Sequence, residues 1–122
     1  MSTWMVVEDE PDAYEVLLAM CEMWGIEGVA LGDGEETLAW ITEADSGRYD
    51  GELPELALLD MRLPGRTSGI MIAERLRRSP RLRHIAIVVM TAYKLSPDEE
   101  RKVREQSQAD DLLYKPLPQF DK

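Results

Sequence analysis

Leu56-Ala57-Leu58-Leu59-Asp60-Met61-Arg62-Leu63-Pro64-Gly65 decides how the chain folds. A short apolar run closed by Pro-Gly reads as a buried strand that stops at a turn. Asp60 stands at the tip of that strand. A carboxylate there costs desolvation energy unless it is paired, bound to a metal or exposed. Taken alone, Asp60 reads as an ordinary turn-capping residue. Three other strand ends change that reading: Glu8-Asp9, Thr91 and Lys115.

Toward the N-terminus, residues 3–7 read as a short strand that ends in the acidic run Glu8-Asp9-Glu10. Pro11 suits the first turn of a helix, and Tyr14, Leu17, Leu18, Cys21 and Trp24 recur at helical spacing up to the stop signal Gly25. Residues 26–31 form a second strand, and Asp33-Gly34-Glu35-Glu36 caps a second helix with Leu38 and Ile41 on its apolar side. Residues 43–54 read as a polar loop, long for a helix-to-strand connection.

Beyond Gly65, Ser68 or a neighbour caps a third helix that runs to about Arg78, where Pro80 ends it. Residues 85–90 are an unbroken apolar run, as expected of a central parallel strand covered on both faces, and Thr91 closes it. Ser96-Pro97-Asp98-Glu99 combines a capping box with Pro at the first helical position. The helix it starts is almost wholly polar, with Val103 its one large apolar residue, which predicts weak anchorage. Residues 112–114 form a fifth strand, before Lys115-Pro116. Strand and helix alternate throughout, so the pattern predicts an α/β fold: a parallel sheet with right-handed crossovers and helices on both faces.

Size and charge limit what such a fold does. The 122 residues suffice for one core, so a single domain over 1–122 is expected. With 14 basic against 24 acidic residues the net charge is −10, which disfavours direct nucleic-acid binding and suits cations or basic partner surfaces. No apolar run is long enough to span a membrane, and the start Met1-Ser2-Thr3-Trp4 lacks the layout of a signal peptide. Cys21, the single cysteine, cannot form an internal disulfide and reads as a buried, inert thiol. A cytoplasmic location is the expectation.

In a parallel sheet the C-terminal strand ends share one edge, where ligands bind. Glu8, Asp9 and Asp60 converging there repel one another unless a cation intervenes, and oxygen ligands suit Mg²⁺. Lys115 adds a point charge for a phosphate or the carboxylates, and Thr91 offers a hydroxyl to an oxyanion. The set fits phosphoryl transfer to a carboxylate. Each piece has a plain reading: a solvated charge run, a β-branched strand residue, a surface lysine. Their combination at four of five strand ends does not.

Here the sequence resembles the receiver domains of two-component response regulators. Val6-Val7-Glu8-Asp9-Glu10-Pro11 is similar to that family's first-strand acidic motif, and Leu58 to Gly65 to its phosphoacceptor motif. Met90-Thr91-Ala92 resembles its switch-threonine motif and Tyr114-Lys115-Pro116 its Lys-Pro motif. The likeness runs from about Trp4 to Leu117. It implies a flavodoxin-like, doubly wound, five-stranded sheet of order 2-1-3-4-5. It implies Asp60 as phosphoacceptor for a sensor histidine kinase or histidine phosphotransfer protein. Mg²⁺ would be held by Asp9, Asp60 and the Arg62 backbone carbonyl, with Glu8 acting through a water. Thr91 would move toward the phosphoryl oxygen and Lys115 would pair with it. Such a chain is a phosphorylation switch for an output partner rather than an enzyme, catalysing only its own phosphorylation and dephosphorylation.

Three features depart from the family pattern. Its aromatic switch position, three before the lysine, holds Leu112, while Tyr114 adjoins the lysine instead. The loop Gly65-Arg66-Thr67-Ser68-Gly69 is one residue longer than common. The fifth helix is missing or cut short, because only Leu117 to Lys122 follow Pro116. An apolar face left open there predicts self-association as a homodimer, or cover by a partner helix or further residues. A haloacid-dehalogenase-like phosphatase is the runner-up, but it needs a second Asp where Arg62 stands. A pseudo-receiver serving only as an interaction module is countered by intact Asp9, Asp60, Thr91 and Lys115. Gly32-Asp33-Gly34 lacks the Lys-Ser/Thr of a phosphate-cradling loop and reads as a turn.

Overall fold

The computed structural model describes residues 2–115. Nine elements alternate along them: β1 (Thr3–Val7), α1 (Pro11–Met23), β2 (Glu27–Leu31), α2 (Gly34–Asp45), β3 (Leu56–Asp60), α3 (Gly69–Arg77), β4 (Ala86–Thr91), α4 (Pro97–Ser107) and β5 (Asp111–Tyr114). The strands form one parallel sheet in the order β2-β1-β3-β4-β5, as the resemblance implied. β1 and β3 are central, so the tips that carry Glu8 and Asp60 lie side by side.

The two-residue pleat sorts the strand side chains. Met5, Val7, Ala57, Leu59, Ile87 and Val89 join Ile41, Ala44, Ile72, Leu76 and Val103 of α2, α3 and α4 in one core. Val6, Leu58 and Met90 point the other way, onto Leu17 and Cys21 of α1. Cys21 is buried as expected, and burial pushes its thiol pKa up, so it stays a protonated, inert group. The single apolar stripe of α1 therefore faces β1, β3 and β4 across the opposite side of the sheet from the other three helices.

Local chemistry sets the helix starts. Asp33 accepts the Glu36 N–H at 2.7 Å, Ser68 accepts the Met71 N–H at 3.2 Å, and Ser96 with Glu99 closes a reciprocal capping box. α1 begins at Pro11 without a side-chain cap.

Three of the boundaries that differ from expectation have a visible cause. α2 runs on to Asp45, into the stretch read as loop, because Ala44 is buried and Asp45 is caught by Arg75 (2.9 Å) and Ser79 (2.5 Å). Such tertiary contacts carry no periodic signal. β2 starts at Glu27 rather than Ile26, whose N–H closes the end of α1 on the Cys21 carbonyl. β4 starts at Ala86, since the N–H of Ile85 is turned to Leu82 and its carbonyl to Arg77. The expected absence of a fifth helix, with the open face and homodimer argued from it, concerns residues 116–122 and lies outside the described residues.

Candidate active site at the strand tips

Glu8 continues the ladder of β1, donating its N–H to the Leu31 carbonyl at 3.2 Å, and it is 1% exposed. Its Oε2 accepts the Glu10 N–H at 3.2 Å, and its Oε1 pairs with Lys115 Nζ at 2.5 Å. Asp9, one residue on, is exposed. Asp60 ends β3 and is 6% exposed. Its Oδ1 accepts the Arg62 N–H at 3.3 Å and its Oδ2 accepts from Lys115 Nζ at 3.2 Å. Ligand atoms of Glu8, Asp9 and Asp60 all lie within 4.8 Å of one another.

One ammonium thus faces two buried carboxylates. Burial, then the hydrogen bond and charge of Glu8, push the Asp60 pKa up to about 7, against the pull of Lys115. Burial also opposes the charge on Lys115, but its bonds to Glu8 and Asp60 outweigh that and raise its pKa. Lys115 stays cationic at neutral pH, while Asp60 is held between its two protonation states.

Backbone register brings the last polar group into place. Thr91 and Tyr114 are paired across β4 and β5, and the Lys115 N–H donates to the Thr91 carbonyl at 2.8 Å. Thr91 is 1% exposed, and its hydroxyl oxygen accepts the Tyr93 N–H at 3.1 Å. Asp9, Asp60, Thr91 and Lys115 line a cleft of about 420 Å³, with Glu8 beneath them. The structure therefore gathers every side chain that the sequence singled out.

Behind the cleft, the chain leaving β3 must make room for α3. At Gly69 a Cβ would stand 2.0 Å from the Asp60 carbonyl oxygen, so only glycine lets the helix start this close to Asp60. The long loop between them is held from α2: Glu35 Oε1 accepts the Arg66 N–H at 3.2 Å and the Thr67 hydroxyl at 3.3 Å.

Tyr93 on the rim escaped the sequence reading, as did the side chain of Arg62, whose backbone carbonyl alone was singled out there. The Arg62 guanidinium lies 4.1 Å from the Tyr93 ring centroid, and both residues line the cleft. Each sits two positions past a site residue, Asp60 and Thr91, and that shared offset was the available signal. Leu112 is buried in the larger core, whereas the Tyr114 hydroxyl donates to Glu100 Oε2 at 2.6 Å.

A family model described as the response regulator receiver domain matches residues 4–121. The chain belongs to that family. Among relatives of this receiver domain is the phosphate regulon transcriptional regulatory protein PhoB of Pseudomonas aeruginosa, 33% identical over 116 residues. That match covers 94% of this chain and 45% of PhoB, so the chain spans less than half of that relative. The polar-differentiation response regulator DivK of Brucella anthropi is 31% identical over 97 residues, covering 80% of this chain and 72% of DivK. Among solved structures, the N-terminal domain of a response regulator receiver protein from Methanoculleus marisnigri matches with a TM-score of 0.72 and 28% identity, over 95% of this chain and 85% of that one. The receiver fold read from the strand tips is thus the fold of its relatives. No helix among the described residues is long and apolar enough to cross a membrane.

Proposed function

We propose that this receiver is a phosphorylation switch whose Asp60 takes a phosphoryl group from the phosphohistidine of a sensor histidine kinase or histidine phosphotransfer protein. The observation that carries this reading is the Asp60 carboxylate itself. It is buried at the tip of β3, bonded to Lys115, and opens into a cleft beside Glu8 and Asp9.

The donor set fits Mg²⁺. It is all oxygen and anionic, its ligand atoms are gathered within 4.8 Å, and a single ammonium faces two buried carboxylates. Asp9, Asp60 and the Arg62 backbone carbonyl would hold the ion, with Glu8 acting through a water. When bound, it supplies positive charge that favours ionised Asp60 and screens the incoming phosphoryl oxygens.

The protein's own groups then divide the work. Ionised Asp60 attacks phosphorus through a carboxylate oxygen. The new P–O bond forms as the donor's P–N bond breaks, and the imidazole leaves with that electron pair and takes up a proton. Lys115, freed in part from Asp60, pairs with a phosphoryl oxygen. The Thr91 hydroxyl accepts from Tyr93, and among the described residues no acceptor takes its O–H, so it can donate to another phosphoryl oxygen. Hydrolysis of the acyl phosphate resets the switch, so the chain catalyses only its own phosphorylation and dephosphorylation.

The test is intact-mass measurement after incubation with acetyl phosphate. The expected result is a gain of one phosphoryl group that needs Mg²⁺ and is lost in Asp60→Asn. Equal labelling of that variant would overturn the assignment.

A further inference from the structure

α4 is poorly anchored where it begins. Pro97, Asp98 and Glu99 are exposed and Glu100 is half-buried. The buried residues of the helix, Val103 and Ser107, come one and two turns later. Its first turn is tied to the sheet by the Tyr114 hydroxyl, which donates to Glu100 Oε2 at 2.6 Å. Glu100 also pushes the Tyr114 pKa up, so the hydroxyl keeps its proton at neutral pH.

Tyr114 is equally tied to the site. It is the register partner of Thr91 across β4 and β5, and it directly precedes Lys115, which bonds both Glu8 and Asp60. A shift of the Lys115 backbone moves this residue directly, and a shift of the Thr91 backbone reaches it through the register pair. The position that the family uses for an aromatic switch cannot serve, because Leu112 has no polar end and is buried in the core.

We infer that Tyr114 is a positioning residue that couples the Asp60 site to the first turn of α4 through its hydroxyl bond to Glu100. When Lys115 and Thr91 shift, β5 carries Tyr114 with them, the Glu100 bond loosens and the poorly anchored turn opens. The outward signal is a change in the exposure of α4's first turn. The biological use of this coupling rests on the phosphoacceptor reading, but the coupling itself does not.

Amide hydrogen exchange in a double-mutant cycle tests it, using the full chain in Mg²⁺-free buffer. Asp60→Asn changes the charge at the site without any phosphoryl group. With Tyr114 present it should change protection at residues 97–103 by about fivefold, the size of one net hydrogen bond. In the Tyr114→Phe background, which keeps the ring but not the hydroxyl, that response should shrink to less than about twofold. Glu100→Gln retains an acceptor for the hydroxyl and should preserve the response, whereas Glu100→Ala should lose it. Equal responses in the Tyr114 and Tyr114→Phe backgrounds would overturn the coupling, as would no response in either. A parallel arm with acetyl phosphate and Mg²⁺ separates the two claims. Absence of labelling there counts against the phosphoacceptor reading alone, because the cycle is read without it.

Discussion

Replacing Asp60 by Asn should stabilise the metal-free protein at neutral pH and leave it unchanged in acid. The buried carboxyl titrates at about 7 in place of 3.8. A raised folded-state pKa means that the protonated form is favoured by folding. That contribution is complete below the unfolded value near 4 and is lost as pH rises through about 7. At roughly 1.4 kcal/mol per unit, the full shift amounts to at most about 4 kcal/mol. Asp60 shares the Lys115 ammonium with Glu8, so about half of that, roughly 2 kcal/mol, is the working expectation. Asn keeps an oxygen for the Arg62 N–H and removes the charge facing Glu8, while Lys115 retains Glu8 as its partner. Urea unfolding of both proteins in chelator-treated buffer across acid to mildly alkaline pH gives the difference, and the other carboxylates cancel. The difference should be near zero below about pH 4, grow through pH 5 and 6, and level off above about 7. Saturating Mg²⁺ should narrow it by stabilising the wild type. A difference that is flat with pH, or a less stable variant in alkali, would refute the claim that burial and Glu8 strain the Asp60 charge.

Two further substitutions separate site from scaffold. Asp9 is exposed at the cleft, so Asp9→Ala should shift metal-free stability by no more than about 0.5 kcal/mol yet weaken Mg²⁺ binding roughly tenfold or more, as read by a calorimetric titration. Unchanged Mg²⁺ affinity would remove Asp9 from the ligand set. Arg77 works at the opposite edge of the sheet, donating to the carbonyls of Arg83, Ile85 and Gln108 and to Asp110. Arg77→Ala should cost about 2–4 kcal/mol in urea unfolding while acetyl phosphate labelling proceeds at the wild-type rate; a slowed rate at temperatures where the variant is folded would tie this edge to the site.

The sheet was legible because its signals are local and repeated. Each strand is a short apolar run, each helix start carries a cap or a proline, and the polar residues stand where the runs end. What escaped depends on contacts between distant segments. Glu8, Asp9 and Glu10 look alike in sequence, and only the register of β1 against β2 and β3 shows that Glu8 is the buried one, paired with Lys115. Gly69 reads as a loop residue until α3 is seen against the Asp60 carbonyl. The extension of α2 through Asp45 is decided by Arg75 and Ser79, about thirty residues away. Arg62 over Tyr93 joins two loops that become neighbours when β3 and β4 pair. Tyr114 was visible as a misplaced aromatic, but its partner Glu100 lay within a helix that offered no pattern to single it out.

The claim on which the account rests is that the new phosphoryl bond is made at Asp60 and nowhere else. Borohydride reduction of the acetyl phosphate-treated, Mg²⁺-loaded receiver converts an aspartyl phosphate to homoserine, and peptide sequencing by mass spectrometry then locates it. The account predicts homoserine at position 60 alone, absent without Mg²⁺. Homoserine at position 9, the corresponding reduced product at Glu8, or no reducible group at all would contradict it.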